Sequence, residues 1–260
     1  MNKKDLSIGF FDSGLGGLSV LQDAIKILPH ENYIYFGDSI NAPYGDKSFS
    51  QVWELTYKNV QFLQNQGVKA IVIACNTATS VAINKLRSRF DIPIIGMEPA
   101  IKPAANIKNE DGKILLLATK MTLQENKLKD LVGDLDLHDH LIKVAASEMV
   151  ILIESGNFTI TQARRVVEKY LAGYDFSKID CIVLGCTHFV FYKQIIAEVV
   201  NHRSKIIDGN WGTVKNLKSR LQNLDLLKKE SNQTQKIKFY NSDKNISEEQ
   251  CRKILKNSEF

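Results

Sequence analysis

Ser7-Ile-Gly-Phe-Phe-Asp-Ser-Gly-Leu-Gly-Gly17 runs from an apolar stretch into a glycine-rich turn, and an amphipathic segment, Leu18–Leu28, follows at once. The reading is strand, turn, helix, and the same unit recurs along the chain. Strands are expected at Ser7–Phe11, Asn32–Phe36, Ala70–Ala74, Lys113–Ala118, Leu141–Ala145, Cys181–Leu184 and Lys205–Ile207. Helices are expected at Leu18–Leu28, Phe49–Asn65, Ala78–Phe90, Leu123–Leu131, Ile160–Leu171, Tyr192–Asn201 and Thr213–Leu224. Strands that alternate with helix-length crossovers pair in parallel, so the fold class is α/β with mostly parallel sheets. Capping boxes are expected at Ser48…Gln51, Thr122…Glu125 and Ser247…Gln250.

The chain has 260 residues, 44% of them hydrophobic, which is enough for a sizeable core and for one large or two modest domains. Charge is mixed and apolar runs recur throughout, which excludes a disordered chain. Runs such as Ala70-Ile-Val-Ile-Ala74 are strand-sized, well short of the ~20 residues of a membrane span. No secretory signal is read at Met1-Asn-Lys-Lys-Asp5, so a cytoplasmic location is expected. The four cysteines, Cys75, Cys181, Cys186 and Cys251, include no Cys-x-x-Cys and are read as reduced thiols. Net charge is +5, and from His202 to the end there are 13 Lys/Arg against 7 Asp/Glu. That basic tail carries no aromatic stacking motif and is read as solvated surface; no nucleic-acid partner is expected.

Two strand ends resemble each other. Ile71-Val-Ile-Ala-Cys75-Asn-Thr77 and Ile182-Val-Leu-Gly-Cys186-Thr-His188 place cysteines 111 residues apart, and the turns at Asp12 and Thr119 are 107 apart. Two features at nearly one offset point to internal duplication. The expected architecture is two similar three-layer domains related by a pseudo-twofold, with the active site in the cleft between them. The first is residues 1–97 with 209–260, and the second is 98–208. The boundary falls near Gly96-Met-Glu-Pro99, the return near Asp208-Gly-Asn210, and the tail adds helices to the first domain. Leu227–Gln235 reads as a polar surface linker.

Ligands of parallel α/β sheets bind at the carboxyl ends of strands. Asp12-Ser13, Asp38-Ser39, Cys75-Asn-Thr77, Thr119 with Thr122, and Cys186-Thr-His188 all follow strands. Two thiols across a cleft suit inversion of a carbon beside a carboxylate, where one group removes a proton and the other returns one to the opposite face. A thiol titrating near 8.5 is within reach of that task. Asp12 is placed to assist Cys75, and His188 to assist Cys186. Ser13, Asn76, Thr77 and Thr187 offer hydroxyls, an amide and backbone N–H groups for an amino-acid carboxylate. Taken singly, a cysteine after a strand reads as a small core residue, and Glu154 as a helix-surface acid. Cys181 and Cys251 are read as structural. A dinucleotide site is disfavoured because the third glycine of Gly-x-Gly-x-x-Gly is missing after Gly14-Leu-Gly16. A zinc site from Cys75, Cys186 and His188 lacks closely paired ligands.

With these residues the chain resembles the bacterial glutamate racemases of the aspartate/glutamate racemase superfamily. The resemblance runs from about Ile8 to Asp208 and rests on Phe11-Asp-Ser-Gly-Leu-Gly-Gly17, Gly37-Asp-Ser39 with Pro43-Tyr-Gly45, Ala74-Cys-Asn-Thr-Ala78, Glu98-Pro99, Thr119, Glu154 and Gly185-Cys-Thr-His188. It implies L-/D-glutamate interconversion without pyridoxal phosphate or metal, supplying D-glutamate for peptidoglycan, often in a homodimer. It implies that Cys75 acts on D-glutamate and Cys186 on L-glutamate, assisted by Asp12, His188 and Glu154. It also implies that Asp12, Ser13, Pro43, Tyr44, Gly45, Asn76, Thr77, Thr119, Thr122 and Thr187 line the substrate site. The chain departs from the family at Asn41 (usually Arg), Ala146-Ser-Glu-Met149, Glu125, Leu128 and Asn241-Ser-Asp243. No N-terminal extension like the activator-binding element of some members is read before Ile8, so regulation by a cell-wall precursor is not expected.

Overall fold

The structure, a computed structural model, describes residues 2–156, 159–228, 230 and 234–256. Its first elements are β1 (Ile8–Asp12), α1 (Leu18–Ile27), β2 (Tyr33–Gly37), α2 (Phe49–Asn65), β3 (Ala70–Ile73), α3 (Asn76–Arg87), β4 (Ile94–Gly96) and α4 (Ile101–Ile107). They are followed by β5 (Lys113–Ala118), α5 (Lys120–Gln124), α6 (Asn126–Asp134), β6 (Leu141–Ala145), α7 (Ser147–Glu154), α8 (Ile160–Leu171) and β7 (Ile179–Gly185). The chain continues through α9 (Lys193–Val199), β8 (Lys205–Asp208), α10 (Asn210–Asn223), β9 (Ile237–Asn241) and α11 (Glu248–Lys256).

Two sheets form, ordered β4-β3-β1-β2-β9 and β6-β5-β7-β8. Every pairing is parallel, for example Ile8 opposite Tyr33 and Leu116 opposite Val183. The α/β class and the parallel sheets match the expectation. Each sheet reverses its strand order beside its middle strands, between β1 and β3 in one and between β5 and β7 in the other. Such reversals open a crevice at the carboxyl ends.

Strand side chains alternate between faces, and both faces of the central strands are buried. In β3, Ala70 and Val72 join one core, while Ile71 and Ile73 join another beneath α2 and α3. In β5, Leu115 and Leu117 face the first core, and Ile114 and Leu116 a third. The first core therefore runs from Phe10 and Val72 of one sheet to Leu117 and Ile182 of the other. This shared apolar body fixes one sheet against the other.

Several local expectations are corrected. The tail adds a strand as well as helices: β9 extends the first sheet beside β2. The expected Leu123–Leu131 helix is broken at Glu125, which is extended. Capping there falls to Thr119, whose side chain accepts from the Thr122 amide, rather than to Thr122 and Glu125. The boxes at Ser48/Gln51 and Ser247/Gln250 form, and a further one joins Thr159 to Gln162. Part of the expected linker Leu227–Gln235, namely Lys229 and residues 231–233, lies outside the described residues. In its described part, Leu227 packs on the first core and the Lys228 amide donates to Glu31 Oε1 at 2.8 Å.

That carboxylate belongs to a buried clasp at the amino end of the first sheet. Lys69 Nζ is 2.5 Å from Glu31 Oε2, with side chains 1% and 2% exposed. The ammonium also donates to the carbonyls of Lys4, at 2.6 Å, and Leu226, at 2.9 Å. Burial pulls the Lys69 ammonium below its usual range, and Glu31 opposes that. An ion pair stripped of one partner leaves an uncompensated buried charge. Lys69→Met should therefore lower the unfolding free energy by about 3–5 kcal/mol, read as a lower urea midpoint. Lys69→Met with Glu31→Leu should recover part of that loss. An unchanged midpoint in the single variant would show that the clasp does not hold the fold.

Candidate active site

The polar residues after β1, β3, β5 and β7 meet at the crevices of the two sheets. Asp12 ends β1, Cys75 is the N-cap of α3, Thr119 is the N-cap of α5, and Cys186 precedes a 3-10 helix at Thr187–Tyr192. Asn76 and Thr77 form the buried first turn of α3. A 3-10 turn fills the space after Cys186, and α9 begins at Lys193, one residue from the expected start at Tyr192.

Asp12 crosses between the sheets. Its Oδ1 accepts from Thr187 Oγ1 at 3.2 Å, and its Oδ2 accepts from the Gly14 amide at 3.1 Å. Burial raises its carboxyl above the ordinary 3.8; the charge of Glu154 adds to this, while His188 and the Gly14 and Gly17 amides oppose it.

Cys75 is 6% exposed and Cys186 8%. Cys75 Sγ accepts from the Ala78 amide at 3.4 Å. Burial pushes the Cys75 thiol up to about 12, and the charges of Asp12 and Cys186 push the same way; Ser13 and the Ala78 amide hydrogen-bond it and pull it down. The two sulfurs are thus within electrostatic reach, and Asp12 acts on Cys75 through its charge.

His188 lies beside the other thiol, with Nδ1 3.7 Å from Cys186 Sγ. On the opposite edge Nε2 is 2.5 Å from Glu154 Oε1, which also accepts from the Leu15 amide at 2.6 Å. Burial alone would depress the imidazole. Its contacts with Cys186 and Glu154 outweigh that and raise it well above the usual 6.5. Gly16 is required here, since a Cβ would stand 2.4 Å from His188 Nδ1 and Thr187 Oγ1.

A hydroxyl cluster forms another wall. Thr77 Oγ1 is 2.9 Å from Thr119 Oγ1, which is 3.0 Å from Thr122 Oγ1. Tyr44 and Gly45 stand in a short 3-10 turn after Pro43. A Cβ on Gly45 would come 2.6 Å from Thr119 Cβ, so this turn lies directly on that wall.

The structure thus draws the sequence-expected residues to one region, around strand ends of both sheets. Asp38, read in the sequence as a strand-end acid but given no role in the site, accepts from the Tyr44 hydroxyl at 2.6 Å. One participant was left out. The Leu15 amide, the partner of Glu154, carries no side-chain signal. Among the described residues, no three His, Cys, Asp or Glu side chains are grouped to hold a metal ion.

The chain is similar to known proteins in sequence and in fold. The Asp/Glu/Hydantoin racemase family matches residues 19–217. A glutamate racemase of Clostridium botulinum (strain Loch Maree / Type A3) is 46% identical over 242 residues, 93% of each chain. The Escherichia coli glutamate racemase, solved with L-glutamate and the activator UDP-MurNAc-ala, superposes with a TM-score of 0.82 at 28% identity, covering 98% of this chain and 96% of that one. The Francisella tularensis glutamate racemase, solved with D-glutamate, gives 0.79 at 29% identity, covering 98% and 94%.

The raised Cys75 thiol has a measurable consequence. At pH 8 a thiol titrating near 12 is ionised to about one part in ten thousand. Alkylation of Cys75 by iodoacetamide, followed by peptide mass mapping, should rise about tenfold per pH unit from pH 7 to 10. A plateau below pH 9 would contradict the raised value.

Proposed function

Since the chain belongs to the Asp/Glu/Hydantoin racemase family, we propose that it interconverts L- and D-glutamate by a two-thiol mechanism that needs no cofactor. The observation that carries this reading is the pair Cys75 and Cys186, each buried and each just past a central strand of its own sheet. A carbon held between them has one sulfur on each face. One thiolate removes the α-proton and the opposite thiol delivers another, which inverts the centre. The solved relatives with D-glutamate and with L-glutamate support glutamate as the substrate.

The surroundings divide the roles. Cys75 rests as a neutral thiol and is the ready proton donor. Cys186 Sγ lies 3.7 Å from Nδ1 of the His188 imidazole. The resting site therefore holds Cys75 ready to complete the product when Cys186 acts on L-glutamate. In the reverse direction Cys75 must lose its proton, and Asp12, with its raised carboxyl, is the acceptor at hand. Glu154 fixes the ring of His188 from behind. Ser13, Pro43, Tyr44, Gly45, Asn76, Thr77, Thr119, Thr122 and Thr187 make the walls that hold the substrate.

The two sheets correspond to two domains, 1–97 with 209–260 and 98–208, with the cleft between them. The division is supported by the strands each sheet contains. The product serves peptidoglycan synthesis, in the cytoplasm, and the working form is a homodimer. No helix among the described residues is long and apolar enough to cross a membrane.

Cys75→Ser and Cys186→Ser should each slow racemisation of glutamate by about 10²–10⁴-fold. The measurement is decay of the circular dichroism of pure D- or L-glutamate, with chelator and without added cofactor. Full racemisation by Cys75→Ser would sink the two-thiol mechanism. Faster turnover of aspartate than of glutamate would overturn the substrate.

A further inference from the structure

Asp38 stands one residue past β2 and is 2% exposed. Three neutral side chains converge on its carboxylate. Tyr44 Oη donates at 2.6 Å, Asn59 Nδ2 at 3.2 Å, and Asn41 Nδ2 lies 3.0 and 3.1 Å from the two oxygens. Asn59 Nδ2 also donates to Tyr44 Oη at 3.2 Å. The backbone agrees: the Asp38 amide donates to the Asp12 carbonyl at 3.0 Å, and the Asn41 amide donates to the Asp38 carbonyl at 3.0 Å.

The segment so anchored spans the cleft. At its near end Ser39 Oγ accepts from Asn241 Nδ2 at 3.1 Å, and the Ile40 amide donates to Ser242 Oγ at 3.1 Å. At its far end Gly45 rests on Thr119, and Asp46 Oδ1 accepts from Ser147 Oγ of α7 at 3.3 Å. Between the ends, the buried Asp38 carboxyl grips the segment through Asn41 and Tyr44. Moving Tyr44 moves Gly45, and with it the gap between the turn and the Thr77–Thr119–Thr122 hydroxyls.

We propose that Asp38 is a positioning residue for substrate binding: its carboxylate gathers Tyr44, Asn41 and Asn59 and so sets the width of the cleft at its Thr119 wall. It acts through Tyr44 and has no part in proton transfer at the sulfurs. The inference rests on the racemase reading above. A carboxylate is needed because all its neighbours are donors. An amide in its place has one acceptor oxygen and turns its own NH2 toward another donor.

The test is Asp38→Asn, Tyr44→Phe and the double variant, assayed on both enantiomers of glutamate. Asp38→Asn preserves shape, so a steric role would leave catalysis unmoved. The expected result is a KM raised about 10- to 100-fold, with kcat within about threefold. The double variant should be no worse than the worse single one, because both break one linkage. A KM within twofold of the original, a fall confined to kcat, or losses that multiply in the double variant would each overturn the proposal. If Asp38→Asn does not fold, by far-ultraviolet circular dichroism, Asn59→Ala removes one donor from the same carboxylate. A raised KM with unchanged kcat then supports the role, and an unchanged KM refutes it. Absence of racemisation in the unaltered chain would instead overturn the activity on which the role depends.

Discussion

The contact between Thr187 and Asp12 joins the end of β7 in one sheet to the end of β1 in the other, across 175 residues of chain. It exists because a single apolar core lies between the two sheets and holds their carboxyl ends at a fixed separation. Protein interiors are densely packed and yield little. Once Val72 and Phe10 are pressed toward the body that includes Leu117 and Ile182, the polar strand ends have no other place to go. Every element of the candidate site depends on that constraint, including the reach between the sulfurs and the Gly16–His188 approach.

Buried polar groups are costly unless partnered, and here the partners come from the opposite sheet. Thr187 serves Asp12, the Leu15 amide serves Glu154, and Thr119 serves Thr77. The groups that seal the interface are the groups that would handle the substrate. The same desolvation raises the Asp12 carboxyl and the Cys75 thiol, while Cys186 and Glu154 hold the His188 imidazole above its usual range. Surroundings as well as residue type thus set the acid strength of Asp12, Cys75 and His188.

Much of this was legible in the residues. Alternation of apolar runs with amphipathic segments gave the parallel α/β class, and polar residues at strand ends pointed to Asp12, Cys75, Thr119 and Cys186. Legibility failed where a local pattern was weak or its partner remote. β9 (Ile237–Asn241) is short and only half-buried, so its alternation was faint until β2 supplied a partner. Glu125 broke an otherwise helical stretch. Asp38 was legible as a strand-end acid, but its partner Asn59, 21 residues on, was not.

The sequence by itself determined the local units: where strands end, where Ser48, Thr159 and Ser247 start helices, and that two cysteines follow matched strands. These are properties of neighbouring residues, carried by side-chain periodicity and by hydrogen bonds over three or four positions. Only the tertiary structure decided that Glu154 stands behind His188 and in front of Leu15, that Gly45 leans on Thr119, and that a buried clasp ties Lys69 to the carbonyl of Leu226. Those pairings span tens to hundreds of residues. They are set by how apolar faces close over one another, which no local pattern encodes.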